Sequence, residues 1–140
     1  MVRAKLEDIT VAGDGSAFMV LLSTEKAEII PIVIGPLEAM SIAAGRSKEN
    51  YPRPLTHDLM FSVLDILNAS IKRIEISELT ETTFYAKLMI ENRGIEFEID
   101  CRSSDALALA VRRDIPIFVS ESVIEKAGLT DLPVSSTVEA

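Results

Sequence analysis

The sequence predicts an α+β fold: a mostly antiparallel or mixed β-sheet with about four helices packed on it. Three observations carry this expectation. Strand-like segments come in runs, with helical segments gathered between them instead of strictly alternating. The stretch 71–101 reads as three consecutive alternating strands in meander order. No GxGxxG turn and no internal repeat is present to suggest a doubly wound or repeat architecture.

Each element follows from its local pattern. Val2, Ala4 and Leu6 alternate with charged residues, then Ile9 and Val11 resume out of phase, which predicts a β-bulge near Glu7-Asp8. Gly13-Asp14-Gly15 is a turn, and the unbroken apolar run Ala17 to Leu22 is a central strand. Ala27 to Ile34 is a third strand, and Pro31, lacking a ladder donor, places it at an edge or a bulge. Gly35-Pro36-Leu37-Glu38 starts a helix that runs to about Gly45, with Leu37, Met40 and Ala44 expected on its buried stripe. After a polar loop, Thr56 is the expected cap of a second helix whose Leu59, Met60, Val63, Leu64 and Leu67 fall at helical spacing.

In the meander, Ile74 and Ile76, then Phe84 to Ile90, then Ile95 to Cys101 put apolar residues on every second position. Ile76, Leu88 and Phe97 are expected to face inward. A helix from about Ser104 to Arg113 follows, closed by Arg112-Arg113 where the helix dipole favours cations. Pro116 to Val119 is a short strand, and Ser120 caps a last helix ending at Gly128. One domain is expected over 1–128, with a tail over 129–140 that lacks period and is expected to be poorly ordered.

Composition narrows the function. With 48% hydrophobic and 26% charged residues the chain is globular, and its core, without tryptophan, is aliphatic. Charged residues interrupt the first eight positions, and no apolar run reaches the ~18 residues that span a bilayer, so a cytoplasmic protein is expected. Cys101 is the only cysteine, which excludes an internal disulfide and a thiolate metal cluster. The net charge of −8 argues against general affinity for a polyanion, although local basic clusters can escape that average.

Polar groups crowd at two element junctions. One is RPLTHD (Arg53 to Asp58), which holds the only histidine; the other is IDCRSSDA (Ile99 to Ala106). Each sets an arginine and a carboxylate at a helix start, where unpaired N–H groups and the dipole favour anions. Glu38 adds a carboxylate at a third helix start. Structural roles compete with functional ones at each: Asp58, Asp105 and Glu38 stabilise a first helical turn wherever they stand, and Asp100 shares a solvated strand face with Glu96 and Glu98. Carboxylates with one imidazole suit Mg²⁺ or Mn²⁺ better than zinc.

At these residues the chain resembles a known family. IGPLEAMSIA, RPLTHDLMFSVLDILNASIKRIEI, TTFYAKLMI and EIDCRSSDALALAVRRDIPIFVSESVIEKAG occur in the order and spacing of the bifunctional nucleases, covering about residues 1–128. The resemblance implies a small, usually oligomeric α+β domain, with nuclease activity on RNA and DNA in some members. The family's polar residues fall here on Glu38, Arg53, His57, Asp58, Asp100, Arg102, Ser104 and Asp105. Ser103 stands where the family usually has a proline, which removes a stiff helix start but no functional group.

The expected function is therefore metal-assisted phosphodiester hydrolysis. Glu38, Asp58, Asp100 and Asp105 are the expected ligands of Mg²⁺ or Mn²⁺, and His57, Asp58 and Asp105 the expected catalytic groups. Arg53, Arg102 and Ser104 are expected to bind substrate, DNA or RNA. Two alternatives stand beside it: a non-enzymatic oligomeric scaffold or ligand-binding domain, and a hydrolase of small phosphorylated compounds. A homo-oligomer, a dimer first, is expected because the Pro-bearing strand and the apolar excess call for a covered edge.

Overall fold

The computed structural model describes residues 1–130. Over these, seven strands and four helices form an α+β fold. In chain order they are β1 (Val2–Ala12), β2 (Ala17–Thr24), β3 (Ile29–Ile34), α1 (Pro36–Ser47), α2 (Thr56–Ile66), β4 (Ala69–Thr80), β5 (Thr83–Asn92), β6 (Ile95–Arg102), α3 (Ser103–Arg113), β7 (Ile117–Val119) and α4 (Glu121–Ala127). One sheet runs β3-β2-β1-β7-β4-β5-β6. Every neighbouring pair is antiparallel except β4 and β7, so the short β7 joins an N-terminal meander to a central one and makes the sheet mixed.

The register of β1 against β2 slips between Leu6 and Asp8, so Glu7 is the extra residue that the broken alternation predicts. Pro31 lies on the edge strand β3, pairing with Leu21 on its one inner side. The meander β4-β5-β6 is present, with Ile76 and Leu88 buried between sheet and helices. Ser120 Oγ accepts the Val123 N–H at 3.1 Å and caps α4.

Three expectations need correction. Leu55, not Thr56, is the cap position of α2; its backbone N–H donates to Asp58 Oδ2 at 2.9 Å, so the first-turn carboxylate does the capping. Leu37 and Met40 are exposed on α1, which instead buries Ala39, Ile42 and Gly45. Small residues face inward there because α1 lies close against α3: a Cβ at Gly45 would sit 2.9 Å from Val111 Cγ2. Phe97 is 51% exposed although it pairs with the buried Ile90, because β6 is the sheet's outer strand and the helical layer stops short of it. Alternation gives the face a residue points to, not how far the covering layer reaches. Leu129, the first residue of the expected tail, bridges to Ile29, and tail positions 131–140 lie outside the described residues.

Candidate functional site

The three helix starts singled out in the sequence converge on one cleft of about 940 Å³. α1 contributes Glu38 and Ser41, which stand three residues apart on one helix face. α2 contributes His57 in its first turn, and the β6–α3 junction contributes Asp100, Arg102, Ser104 and Asp105. Leu37, Met40, Met60, Leu88 and Ile99 make the rest of the wall largely apolar.

His57 is gripped at both ring nitrogens. Nε2 lies 3.0 Å from Asp105 Oδ1 and Nδ1 lies 2.8 Å from Ser41 Oγ. An ionised carboxylate only accepts, so Nε2 carries the proton that it donates to Asp105. The Ser41 hydroxyl donates to Nδ1 of the neutral ring and can turn to accept from it once the ring is protonated. The imidazole is thus oriented in either state, and its side chain is only 13% exposed.

Asp105 has a second partner, the guanidinium of Arg102. Arg102 donates Nε to Oδ2 at 2.9 Å and Nη2 to Oδ1 at 3.2 Å. Burial pushes the Asp105 carboxyl up, but the hydrogen bonds from Arg102 and His57 outweigh it and hold the group below its ordinary value. Arg102 Nη1 faces Glu38 Oε2 at 3.6 Å, an ion pair too long for a hydrogen bond. Cys101 also lines the cleft; burial, then the charges of Asp105 and Asp100, push its thiol up to about 11, so little thiolate exists at neutral pH.

Two expected site residues stand apart. Asp58 turns away from the cleft: Oδ1 accepts Arg112 Nε at 2.9 Å while Oδ2 caps α2. Burial raises the Asp58 carboxyl, and the Leu55 N–H and Arg112 together lower it further than burial raises it. Arg53 is exposed in the loop before α2, lines neither the cleft nor the hollow beside Asp58, and makes no side-chain hydrogen bond or ion pair among the described residues. Sequence reasoning missed Ser41 and Arg112. Ser41 sits mid-helix with no local cue beyond its spacing from Glu38, and Arg112 reads equally well as a cation at a helix end.

The carboxylates expected to hold a divalent ion do not form one donor set as placed. Asp58 is engaged by Arg112, and Arg102 stands between Glu38 and Asp105, filling the position of a bridging cation. Among the described residues no three His, Cys, Asp or Glu side chains gather closely enough for a metal ion.

Fold and cleft define a small α+β domain with an oriented imidazole, a carboxylate and an arginine at one opening. The bifunctional nuclease domain model matches residues 19–131, and the chain belongs to that family. It is 40% identical over 111 residues to an uncharacterized protein of Mycobacterium tuberculosis strain H37Rv, covering 79% of this chain and 65% of that one. Over 104 residues it is 23% identical to bifunctional nuclease 1 of Oryza sativa subsp. indica and 22% identical to bifunctional nuclease 1 of Arabidopsis thaliana. Each of those matches covers 72% of this chain but only 31% and 32% of the plant proteins. The chain therefore spans under two thirds of the mycobacterial relative and about a third of the plant ones. No helix among the described residues is long and apolar enough to cross a membrane.

Proposed function

We propose that the cleft cleaves phosphodiesters of DNA or RNA, with His57 moving the proton. The observation that carries this is the Ser41–His57–Asp105 chain, at 2.8 and 3.0 Å, beside the forked guanidinium of Arg102. Asp105 holds Nε2, which leaves Nδ1 to exchange a proton with a water drawn into the cleft, directly or through the Ser41 hydroxyl. Arg102 Nη1, beyond hydrogen-bond reach of Glu38, is the donor best placed for a phosphate oxygen. The buried Ser104 lines the same wall and stays with the substrate-facing residues. Asp58 and Arg53 are left out of the chemistry. Mg²⁺ or Mn²⁺ is given no step, because arginines hold Glu38, Asp105 and Asp58, three of the four carboxylates expected to ligate it.

The family match and the names of the plant relatives support nucleic acid as the substrate. A cytoplasmic homodimer, closed over the uncovered β6 strand, completes the proposal. One observation favours a non-enzymatic reading: Arg102 already pairs with both Glu38 and Asp105, as a purely structural network requires.

Cleavage of single-stranded DNA and RNA by the wild type and by His57→Ala, purified in parallel, separates the two. Turnover is expected to fall by ~10²-fold or more in the variant, with little change in melting temperature. Equal cleavage by both proteins would overturn the role of His57, and no cleavage by the wild type would leave the structural network.

A further inference from the structure

A serine inside a helix commonly returns its hydroxyl to a backbone carbonyl one turn back. Ser47 and Ser62 do so, donating to the Ala44 carbonyl at 3.1 Å and the Asp58 carbonyl at 3.4 Å. Ser41 does not. Its hydroxyl lies 2.8 Å from His57 Nδ1 and has no backbone partner among the described residues. Ser41, His57 and Asp105 therefore stand in the order nucleophile, base and orienting carboxylate, at 2.8 and 3.0 Å. In the triad of serine proteases the hydroxyl meets Nε2 and the carboxylate holds Nδ1, whereas here the two nitrogens exchange parts. The chemistry needs one nitrogen to offer a lone pair while the other keeps its proton against a carboxylate. Both conditions hold.

The backbone that carries Ser41 is fixed as well. Arg112 donates Nη1 to the Ser41 carbonyl at 3.1 Å and Nε to Asp58 at 2.9 Å, which ties α1 at the serine to α2 beside the histidine. Arg102 brings positive charge to the same face of α1: its Nη1 stands 3.6 Å from Glu38 Oε2, and Glu38 precedes Ser41 by one turn. Ser41 is half-buried and opens on the cleft, where Leu37, Met40, Met60, Leu88, Ile99 and Leu109 form an apolar wall. An apolar cleft with a few convergent polar groups is the usual setting for a small organic ligand. That wall offers nothing to a phosphate backbone and suits an acyl chain.

We propose that Ser41 is the nucleophile of a second reaction in this cleft, the hydrolysis of uncharged carboxylic esters that carry a short apolar acyl group. This goes beyond the phosphodiester reading, since the attacking group is a side chain and the substrate has no charge for an acidic protein to repel. Ser41 Oγ bonds to the ester carbonyl carbon while its proton passes to His57 Nδ1. The charge that develops on the carbonyl oxygen is drawn toward Arg102. As the bond from the acyl carbon to the alcohol oxygen breaks, Nδ1 gives its proton to that oxygen and the alcohol leaves. Water then gives a proton to Nδ1 as its oxygen bonds to the acyl carbon. The bond to Oγ breaks, the acid leaves, and Oγ takes the proton back. Asp105 holds the Nε2 proton throughout and balances the charged ring.

The test treats the full chain, Ser41→Ala and His57→Ala with an alkyl fluorophosphonate, which loses fluoride as its phosphorus bonds to an activated serine. Intact-mass and peptide mass spectrometry locate the adduct, and each protein is assayed on p-nitrophenyl butyrate and on single-stranded DNA. The wild type is expected to carry a single adduct, on Ser41, and both variants none. Ester turnover should fall by ~10²-fold or more in each variant. Because the adduct is read on the wild type, the result does not depend on how well the variants fold. An unlabelled wild type, an adduct on another residue, or ester turnover that survives Ser41→Ala overturns the proposal; His57-dependent cleavage of DNA in that case leaves the nuclease reading standing. Labelling at Ser41 with Ser41-dependent ester turnover, and no cleavage of DNA by any form, supports the proposal and removes the nuclease reading. A wild type that neither takes the label nor cleaves DNA overturns both.

Discussion

Arg112 Nε lies 2.9 Å from Asp58 Oδ1, and the same guanidinium donates Nη1 to the carbonyls of Ser41 at 3.1 Å and Ala108 at 2.8 Å. With its side chain 6% exposed, Arg112 ties α1, α2 and α3 together behind the cleft. Asp58 neutralises it. Asp58→Ala is therefore expected to destabilise the fold by roughly 1–3 kcal/mol, below the ~3–5 of a fully buried pair because Asp58 itself is 42% exposed. Denaturant unfolding measures this, and a loss under about 0.5 kcal/mol would show that Arg112 needs no partner.

Gly45 is set by the same guanidinium. A Cβ there would come 2.6 Å from Arg112 Nη1 and 2.9 Å from both Arg112 Cγ and Val111 Cγ2. Glycine to alanine inside a helix ordinarily adds up to ~1 kcal/mol of stability. Gly45→Ala is expected to lower the melting temperature instead, and a rise would mean that α1 and α3 can separate without cost.

These two residues show where the sequence was legible and where it was not. Asp58 looked like part of the site because it follows His57 in a helix start, but neighbouring helix positions point about 100° apart, so His57 and Asp58 reach different sides of α2. The long-range partner that decides its role, Arg112, is 54 positions away and carries no mark beyond its charge. His57, Arg102, Asp105 and Glu38 could be singled out because all four stand at helix starts; that this fold gathers those starts at one cleft is visible only in the structure. Ser41 sits mid-helix and could not. Element types were legible from period 2 and period 3.6; burial on β6 was not, because it depends on where α1 and α3 end.

Arg102 predicts how the cleft treats a divalent ion. Its guanidinium separates Glu38 from Asp105, and Arg102→Gln removes that charge while leaving both carboxylates and His57 in place. The variant is expected to bind Mn²⁺ more tightly than the wild type by calorimetry, and a wild type that binds equally well would show that Arg102 moves aside for metal.

At the outer strand β6 the buried core gives way to the edge proposed as a dimer interface. Leu88 is buried and its cross-strand partner Ile99 is not; Phe97, two residues away, is half exposed. Leu88→Ala should cost ~2–5 kcal/mol. Phe97→Lys should leave the monomer's melting cooperative and shift sedimentation from dimer toward monomer. A wild type that sediments as a monomer at micromolar concentration removes the proposed dimer.

Acid should unfold the protein through the carboxylates around the site. Asp58 and Asp105 both titrate below their ordinary value of 3.8 in the folded chain, Asp58 through Leu55 N–H and Arg112, Asp105 through Arg102 and His57, each against burial. In the unfolded chain the two groups take up protons first as pH drops, so over that window the unfolded state binds more protons and stability rises with pH. Their contribution is complete above the unfolded value and is lost as pH falls through the lower folded value. The melting temperature is expected to be nearly flat from neutral pH to about 5, then to fall steeply below about 4. An Asp58→Asn/Asp105→Asn double variant should melt lower at neutral pH but lose less on acidification, so the two curves approach each other in acid. Parallel curves across the whole range would place the acid sensitivity on other carboxylates, and would mean that the Arg112 and Arg102 pairs do not hold these two groups ionised.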